Sequence, residues 1–227
     1  MKKKLLIIEP HSDDGIISAG GFLLKYQKEL DINLCLVTAS DLHMYHGFVS
    51  RQTRMNEYQN YVDCFSAKWI RPTIDEYQLP IDKESILDKV NRSLIVRLLE
   101  KAIQQVQPNK IMVMGPSFHH DHVAVYEAVI AATRPTFQWS VDEIWILENP
   151  TYVHDPYPGQ FMPNTYVSLE QRILEKKCEL FEKLFPTQIR SSGNYLSKDG
   201  IIKWAAYRGI QARCEYAEAF YQYFLRI

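Results

Sequence analysis

Short runs of consecutive apolar residues alternate along this chain with longer stretches in which apolar residues recur every three or four positions. Strict polar–apolar alternation is scarce. Solid apolar runs mark strands buried on both faces, and three-to-four spacing marks amphipathic helices. The pattern predicts strands over residues 4–9, 33–38, 110–114 and 143–147, with a weaker one over 67–70. It predicts helices over 16–30, 51–65, 85–106, 123–133, 170–184 and 199–224.

Alternation of this kind belongs to an α/β fold, here a Rossmann-like three-layer fold with a mainly parallel sheet flanked by helices. Ligands of such sheets bind beyond the carboxyl ends of the strands, so polar residues placed there come first. Residues 149–164 break the pattern, gathering Pro150, Pro156, Pro158, Gly159 and Pro163 beside Tyr152, His154 and Tyr157. This stretch reads as a loop or lid. No internal repeat or linker divides the chain, and a single domain over 1–227 is expected.

Charge and cysteine usage remove several function classes. The 227 residues carry 26 Lys+Arg against 27 Asp+Glu, a formal charge of −1. Lys2-Lys3-Lys4 is the one basic concentration, so a nucleic-acid footprint is absent from the pattern. No apolar run nears the roughly 20 residues that cross a bilayer. Leu5-Leu6-Ile7-Ile8 is also shorter than the roughly 7–15 apolar residues of a secretion signal, so a cytoplasmic chain without a leader is expected. Cys35, Cys64, Cys178 and Cys214 form no C-x-x-C pair and read as small hydrophobes in a reducing compartment.

Two loops carry the candidate chemistry. The first strand runs into Glu9-Pro10-His11-Ser12-Asp13-Asp14-Gly15, placing an imidazole and two carboxylates at its carboxyl end. A plain alternative is that Ser12 or Asp13 caps the following helix. The strand over 110–114 leads into His119-His120-Asp121-His122, three of the chain's seven histidines. On a helical first turn His119 and His122 share one face; His120 reads as solvated and Asp121 as a cap. Parallel strands of one sheet would bring both clusters together, and a metal is the economical reason for gathering them. His11, Asp14 and His122 would form a two-histidine, one-carboxylate site with open positions, as catalytic zinc prefers. A water bound there would have its pKa lowered toward neutrality. Asp13 is the candidate general base, and His119, as an imidazolium, would stabilise an oxyanion or protonate a leaving amine.

At these residues the chain resembles the LmbE-like, or PIG-L, family of metal-dependent N-acetylglucosaminyl deacetylases. That family's patterns are [A/P]-H-P-D-D-E after the first strand and H-x-D-H after a later one. The resemblance implies one Zn2+ or another divalent transition ion per chain on His11, Asp14 and His122, with Asp13 as base and His119 at the oxyanion. It implies that Asp121 orients a histidine from behind the metal. Arg54-Met55-Asn56-Glu57 matches the family's Arg-x-x-Glu, which would bring Arg54 to the sugar or the acetyl carbonyl, with Arg51 as a rival. Tyr216-Ala217-Glu218-Ala219-Phe220 looks like the closing Y-A-E-x-F and implies a substrate contact from Tyr216. The alternative is an aromatic packing stripe through Trp204, Tyr207, Tyr216, Phe220, Tyr223 and Phe224. The expected partner is a small N-acetylated amino-sugar conjugate, whose acetamide would be hydrolysed.

Three departures stand out. Gly15 replaces the family's glutamate, Ser12 its proline, and Phe185-Pro186-Thr187-Gln188 its H-x-S-Q. Two other functions compete: a two-manganese phosphoesterase of the DHH type, and a non-catalytic sugar-binding relative that keeps the fold. The DHH pattern H-x-D-x-D-G separates its carboxylates by one residue, whereas Asp13 and Asp14 are adjacent. A dinucleotide-binding domain fails on spacing, because Gly15 and Gly20-Gly21 do not make G-x-G-x-x-G.

Overall fold

The computed structural model describes residues 2–44, 47–135, 140–150 and 161–227. The chain runs β1 (Lys3–Glu9), α1 (Asp14–Tyr26), β2 (Leu30–Leu36), β3 (Leu42–Met44), β4 (Gly47–Val49), α2 (Arg51–Cys64), β5 (Lys68–Trp69), β6 (Thr73–Ile74) and β7 (Tyr77–Gln78). It continues with α3 (Arg92–Val106), β8 (Lys110–Met114), α4 (His120–Ala132), β9 (Glu143–Leu147), β10 (Thr165–Leu169), α5 (Gln171–Leu184), α6 (Lys198–Ala212) and β11 (Tyr216–Leu225). Seven strands form one sheet in the order β10-β11-β9-β8-β1-β2-β5. β1, β2, β5, β8 and β9 are parallel, while β11 runs antiparallel between β9 and β10. β3–β4 and β6–β7 are separate small hairpins.

The solid apolar run of β1 follows from its central place. Leu5 and Ile7 pack into the layer that includes Phe22, Tyr58 and Phe181, on the side of α1, α2 and α5. Leu6 and Ile8 face the opposite layer, with Leu98, Ile103, Val125 and Val129 from α3 and α4. Helices therefore cover both faces of the sheet, as expected from the strand–helix alternation. Among the described residues no helix is long and apolar enough to cross a membrane.

The expected helix over 199–224 is two elements. α6 ends at Ala212, Arg213 turns left-handed at φ 59°, and the chain returns as β11. Aromatic residues spaced as on a helix also suit a strand, and here Ala217 to Phe220 are buried on both faces. Thr165–Leu169, part of no predicted strand, pairs with β11 as the sheet edge. The helix expected from residue 85 begins at Arg92, after a 3-10 turn at Leu87–Lys89. Most of the loop or lid over 149–164 lies outside the described residues.

β1 and β8 are direct neighbours, with Ile8 opposite Val113. Their carboxyl ends therefore release the two histidine-bearing loops side by side, although the loops lie more than a hundred residues apart in the chain.

Candidate metal centre

The convergence brings candidate ligand atoms of three residues close together, the two oxygens of Asp14 facing one imidazole each. His11 Nδ1 lies 3.1 Å from His122 Nε2 and 3.3 Å from Asp14 Oδ2, and His122 Nε2 lies 3.4 Å from Asp14 Oδ1. Ligands around a tetrahedral ion with bonds of about 2.0–2.1 Å stand about 3.3–3.4 Å apart, so the donor set fits a small divalent ion. The imidazoles of His11, His119 and His122 also offer ligand atoms within 4.8 Å of one another. His11, Asp14 and His122 are buried, whereas His119 is half-buried.

Each ligand atom is held from behind. His11 Nε2 donates to Asp121 Oδ2 at 3.0 Å, which turns Nδ1 toward Asp14 and His122. Asp121 is fully buried and also accepts the Ser85 and Leu87 N–H groups at 2.6 and 3.0 Å. It therefore orients the His11 ring and is not the cap of α4. His122 Nδ1 is 2.8 Å from Ser117 Oγ, which in turn accepts the His119 N–H at 3.1 Å. Asp14 Oδ2 accepts the His11 N–H at 2.8 Å, closing the first loop on itself. At the start of α4 it is His119 that caps, its Nδ1 accepting the Asp121 N–H at 3.3 Å.

The electrostatics follow from this crowding. Burial disfavours a charged His11, but its hydrogen bonds to Asp121 and Asp14 outweigh that and hold its pKa up at about 10. Burial also works against the Asp14 carboxylate, yet His122 and His11 beside it keep it far below the usual range. Burial and the Asp14 charge push Asp13 up to about 6, against the pull of His11 and Arg54. Burial and the charges of His11 and His122 bring His119 down to about 4. These shifts favour a protonated His11 and a neutral His119 near pH 7.

His11, Asp13, Asp14, His119 and His122 line one open pocket of about 220 Å³, together with Arg54, Glu84, Gln188 and Arg190. Arg54 is only 1% exposed, and its guanidinium is committed to Glu84 in a buried ion pair. Glu84 also accepts the Ser40 N–H at 3.2 Å and was not visible in the sequence, because its partner lies thirty positions away. Glu57 of the Arg-x-x-Glu match holds the 185–188 loop, accepting the Thr187 N–H and hydroxyl at 3.1 and 2.7 Å. That contact carries Gln188 to the pocket, while Phe185 is fully buried against Tyr61 and Phe181. Tyr216 is not among the pocket-lining residues and opens β11 instead.

The family described as PIG-L: GlcNAc-PI de-N-acetylase matches residues 6–133, more than half of the chain and both histidine-bearing loops. The chain belongs to this family. Among solved structures, N,N'-diacetylchitobiose deacetylase from Pyrococcus horikoshii is 18% identical with a TM-score of 0.73, over 97% of this chain and 83% of that one. The zinc-inhibited form of teicoplanin deacetylase Orf2 is 14% identical with a TM-score of 0.70, over 97% of both chains. GalB, the 4-carboxy-2-hydroxymuconate hydratase from Pseudomonas putida KT2440, is 17% identical with a TM-score of 0.71, over 99% of this chain and 98% of that one. At these identities the likeness is one of fold, and a hydratase among the neighbours means that the fold alone does not fix the reaction. No curated relative matches the sequence. PIG-L membership, with the cluster of imidazoles, supports a metal-dependent deacetylase and favours neither the DHH-type phosphoesterase nor the non-catalytic relative.

Proposed function

We propose that this PIG-L-family chain hydrolyses the acetamide of an N-acetylglucosamine-type amino-sugar conjugate, releasing acetate and the free amine. One divalent ion, zinc or another transition metal, is held by His11, Asp14 and His122. The observation that carries this is the approach of their donor atoms to 3.1–3.4 Å of one another, one Asp14 oxygen facing each imidazole, inside a pocket open to a small molecule. Asp14 is preferred to His119 as third ligand because His119 spends its Nδ1 lone pair on the Asp121 N–H. A neutral ring with that acceptor carries its proton on Nε2, which donates and does not ligate.

When bound, the ion would supply a water of lowered pKa and an electrophile for the acetyl oxygen. Asp13 borders the same pocket, and a carboxylate there accepts the proton of the attacking water. With its pKa raised, Asp13 can then hand that proton to the departing amine nitrogen. Neutral His119 donates from Nε2–H to the oxygen that gains charge, in place of the imidazolium expected from sequence. Asp121 keeps the His11 tautomer fixed through the cycle. Arg54, paired with Glu84, shapes the pocket wall more than it reaches for the sugar. Four free cysteines, Cys64 among them exposed, fit a reducing cytoplasmic setting.

The test is acetate release from a panel of N-acetylglucosamine conjugates by metal-loaded protein. Acetate and free amine should appear in equal amounts, vanish on chelation and return on reconstitution. A loaded protein that releases none across the panel would support the non-catalytic relative instead.

A further inference from the structure

α1 begins without its usual local support. Asp13 occupies the N-cap position but makes no side-chain cap, Asp14 is turned toward His11 and His122, and Ser12 Oγ is buried without a partner among the described residues. The first N–H groups and the positive end of a helix ordinarily need an acceptor. The group beneath them is Glu9, the last residue of β1, which is fully buried. Its Oε2 accepts the Tyr58 hydroxyl, while Oε1 is buried beside Gly15 without a hydrogen-bond partner among the described residues, and burial pushes the carboxyl well above its usual range. A Cβ on residue 15 would stand 1.9 Å from Glu9 Oε1 and 2.9 Å from Tyr61 Oη. Gly15 does not have a positive φ, so glycine is required there for space and not for backbone conformation.

We propose that Glu9 is the positioning residue of the metal turn. Its carboxyl group packs against the start of α1 in the volume a side chain at position 15 would need, and so fixes the turn that presents Asp13 and Asp14 to the pocket. Gly15 and Glu9 are thus one unit: the side chain at the strand end fills the space that the glycine leaves. The role of Glu9 toward the ion rests on the metal reading above, whereas its packing against Gly15 does not.

Two measurements separate these parts. Glu9→Gln keeps the acceptor and Glu9→Leu keeps only the bulk, and both are titrated with Zn2+ by calorimetry and with Co2+ by visible absorption. Glu9→Leu should remain folded yet bind zinc roughly 10- to 100-fold more weakly, with an altered cobalt spectrum, while Glu9→Gln stays within about threefold of the parent. Wild-type affinity and spectrum in Glu9→Leu, or an equal loss in Glu9→Gln, overturns the positioning role. In a thermal-melt cycle on metal-free protein, Gly15→Ala should lower Tm in the parent but not in a Glu9→Ala background. Equal losses in both backgrounds overturn the shared volume, and this arm decides even where Glu9→Leu fails to fold. A parent protein that binds no divalent ion would sink the metal reading itself, leaving the melt cycle to judge the pair.

Discussion

Loading the site with a divalent ion should expel a proton from His11. Its Nδ1 faces His122 and Asp14 at 3.1 and 3.3 Å, while Nε2–H is held by Asp121 at 3.0 Å. With a pKa of about 10, His11 is protonated on both nitrogens at neutral pH. At pH 7 only about one ring in a thousand has a free Nδ1, and vacating it costs about 4 kcal/mol. A metal ligand must be deprotonated, so that cost is charged against binding. Apparent zinc affinity should rise about tenfold for each pH unit between 7 and 9, with about one proton from His11 released per ion. Calorimetry at fixed pH in phosphate and in Tris reads the proton directly, because the buffers differ in ionisation heat. Identical heats in both buffers, or an affinity flat from pH 7 to 9, would refute the coupling. The same shift has a sign for the metal-free fold. His11 titrates higher folded than its usual 6.5, so its contribution is complete below about 6.5 and is lost as the pH climbs through about 10. Urea unfolding in chelator at pH 6.5 and pH 10 checks it, and greater stability at pH 10 would contradict it.

Other substitutions separate chemistry from metal binding and from folding. Asp13→Asn should keep the metal content while acetate release falls about 10²- to 10⁴-fold, and turnover near that of the parent would remove Asp13 from the reaction. Asp121→Asn turns an amide N–H toward donors that now meet a carboxylate, and zinc affinity should fall roughly 10- to 100-fold, measured by competition with a chelating dye. Glu218 accepts the Gly21 and Phe22 N–H groups at 2.7 and 2.6 Å and the buried Lys177 ammonium at 2.7 Å. Glu218→Ala should cost about 3–5 kcal/mol in urea unfolding, because it leaves a buried cation unpaired. A loss below about 1 kcal/mol would mean that Lys177 finds another partner.

The parts of the site that could be read from the sequence are those that lie contiguous in it. His11, Asp13 and Asp14 share one turn, His119 and His122 share another, and the solid runs of β1 and β8 placed both turns at strand ends. Their convergence needed only that the two strands be neighbours, which the register of Ile8 with Val113 provides. What local pattern could not hold was long-range pairing. The Arg54–Glu84 ion pair is one such contact, and the carboxylate involved sits in a segment without periodic pattern. The aromatic residues from Tyr216 onward fit helical spacing as well as strand alternation, and only pairing on both sides, with β9 and β10, selects the strand. Gly15 read as a missing carboxylate because its meaning lies in the side chain of Glu9, six residues earlier.

Anomalous diffraction at the zinc edge from crystals of the zinc-loaded protein tests the centre most directly. One strong peak per chain is expected, bonded to His11 Nδ1, His122 Nε2 and the Asp14 carboxylate, with His119 outside bonding distance. A peak ligated by His119 in place of Asp14, or found away from the ends of β1 and β8, would contradict the proposed centre.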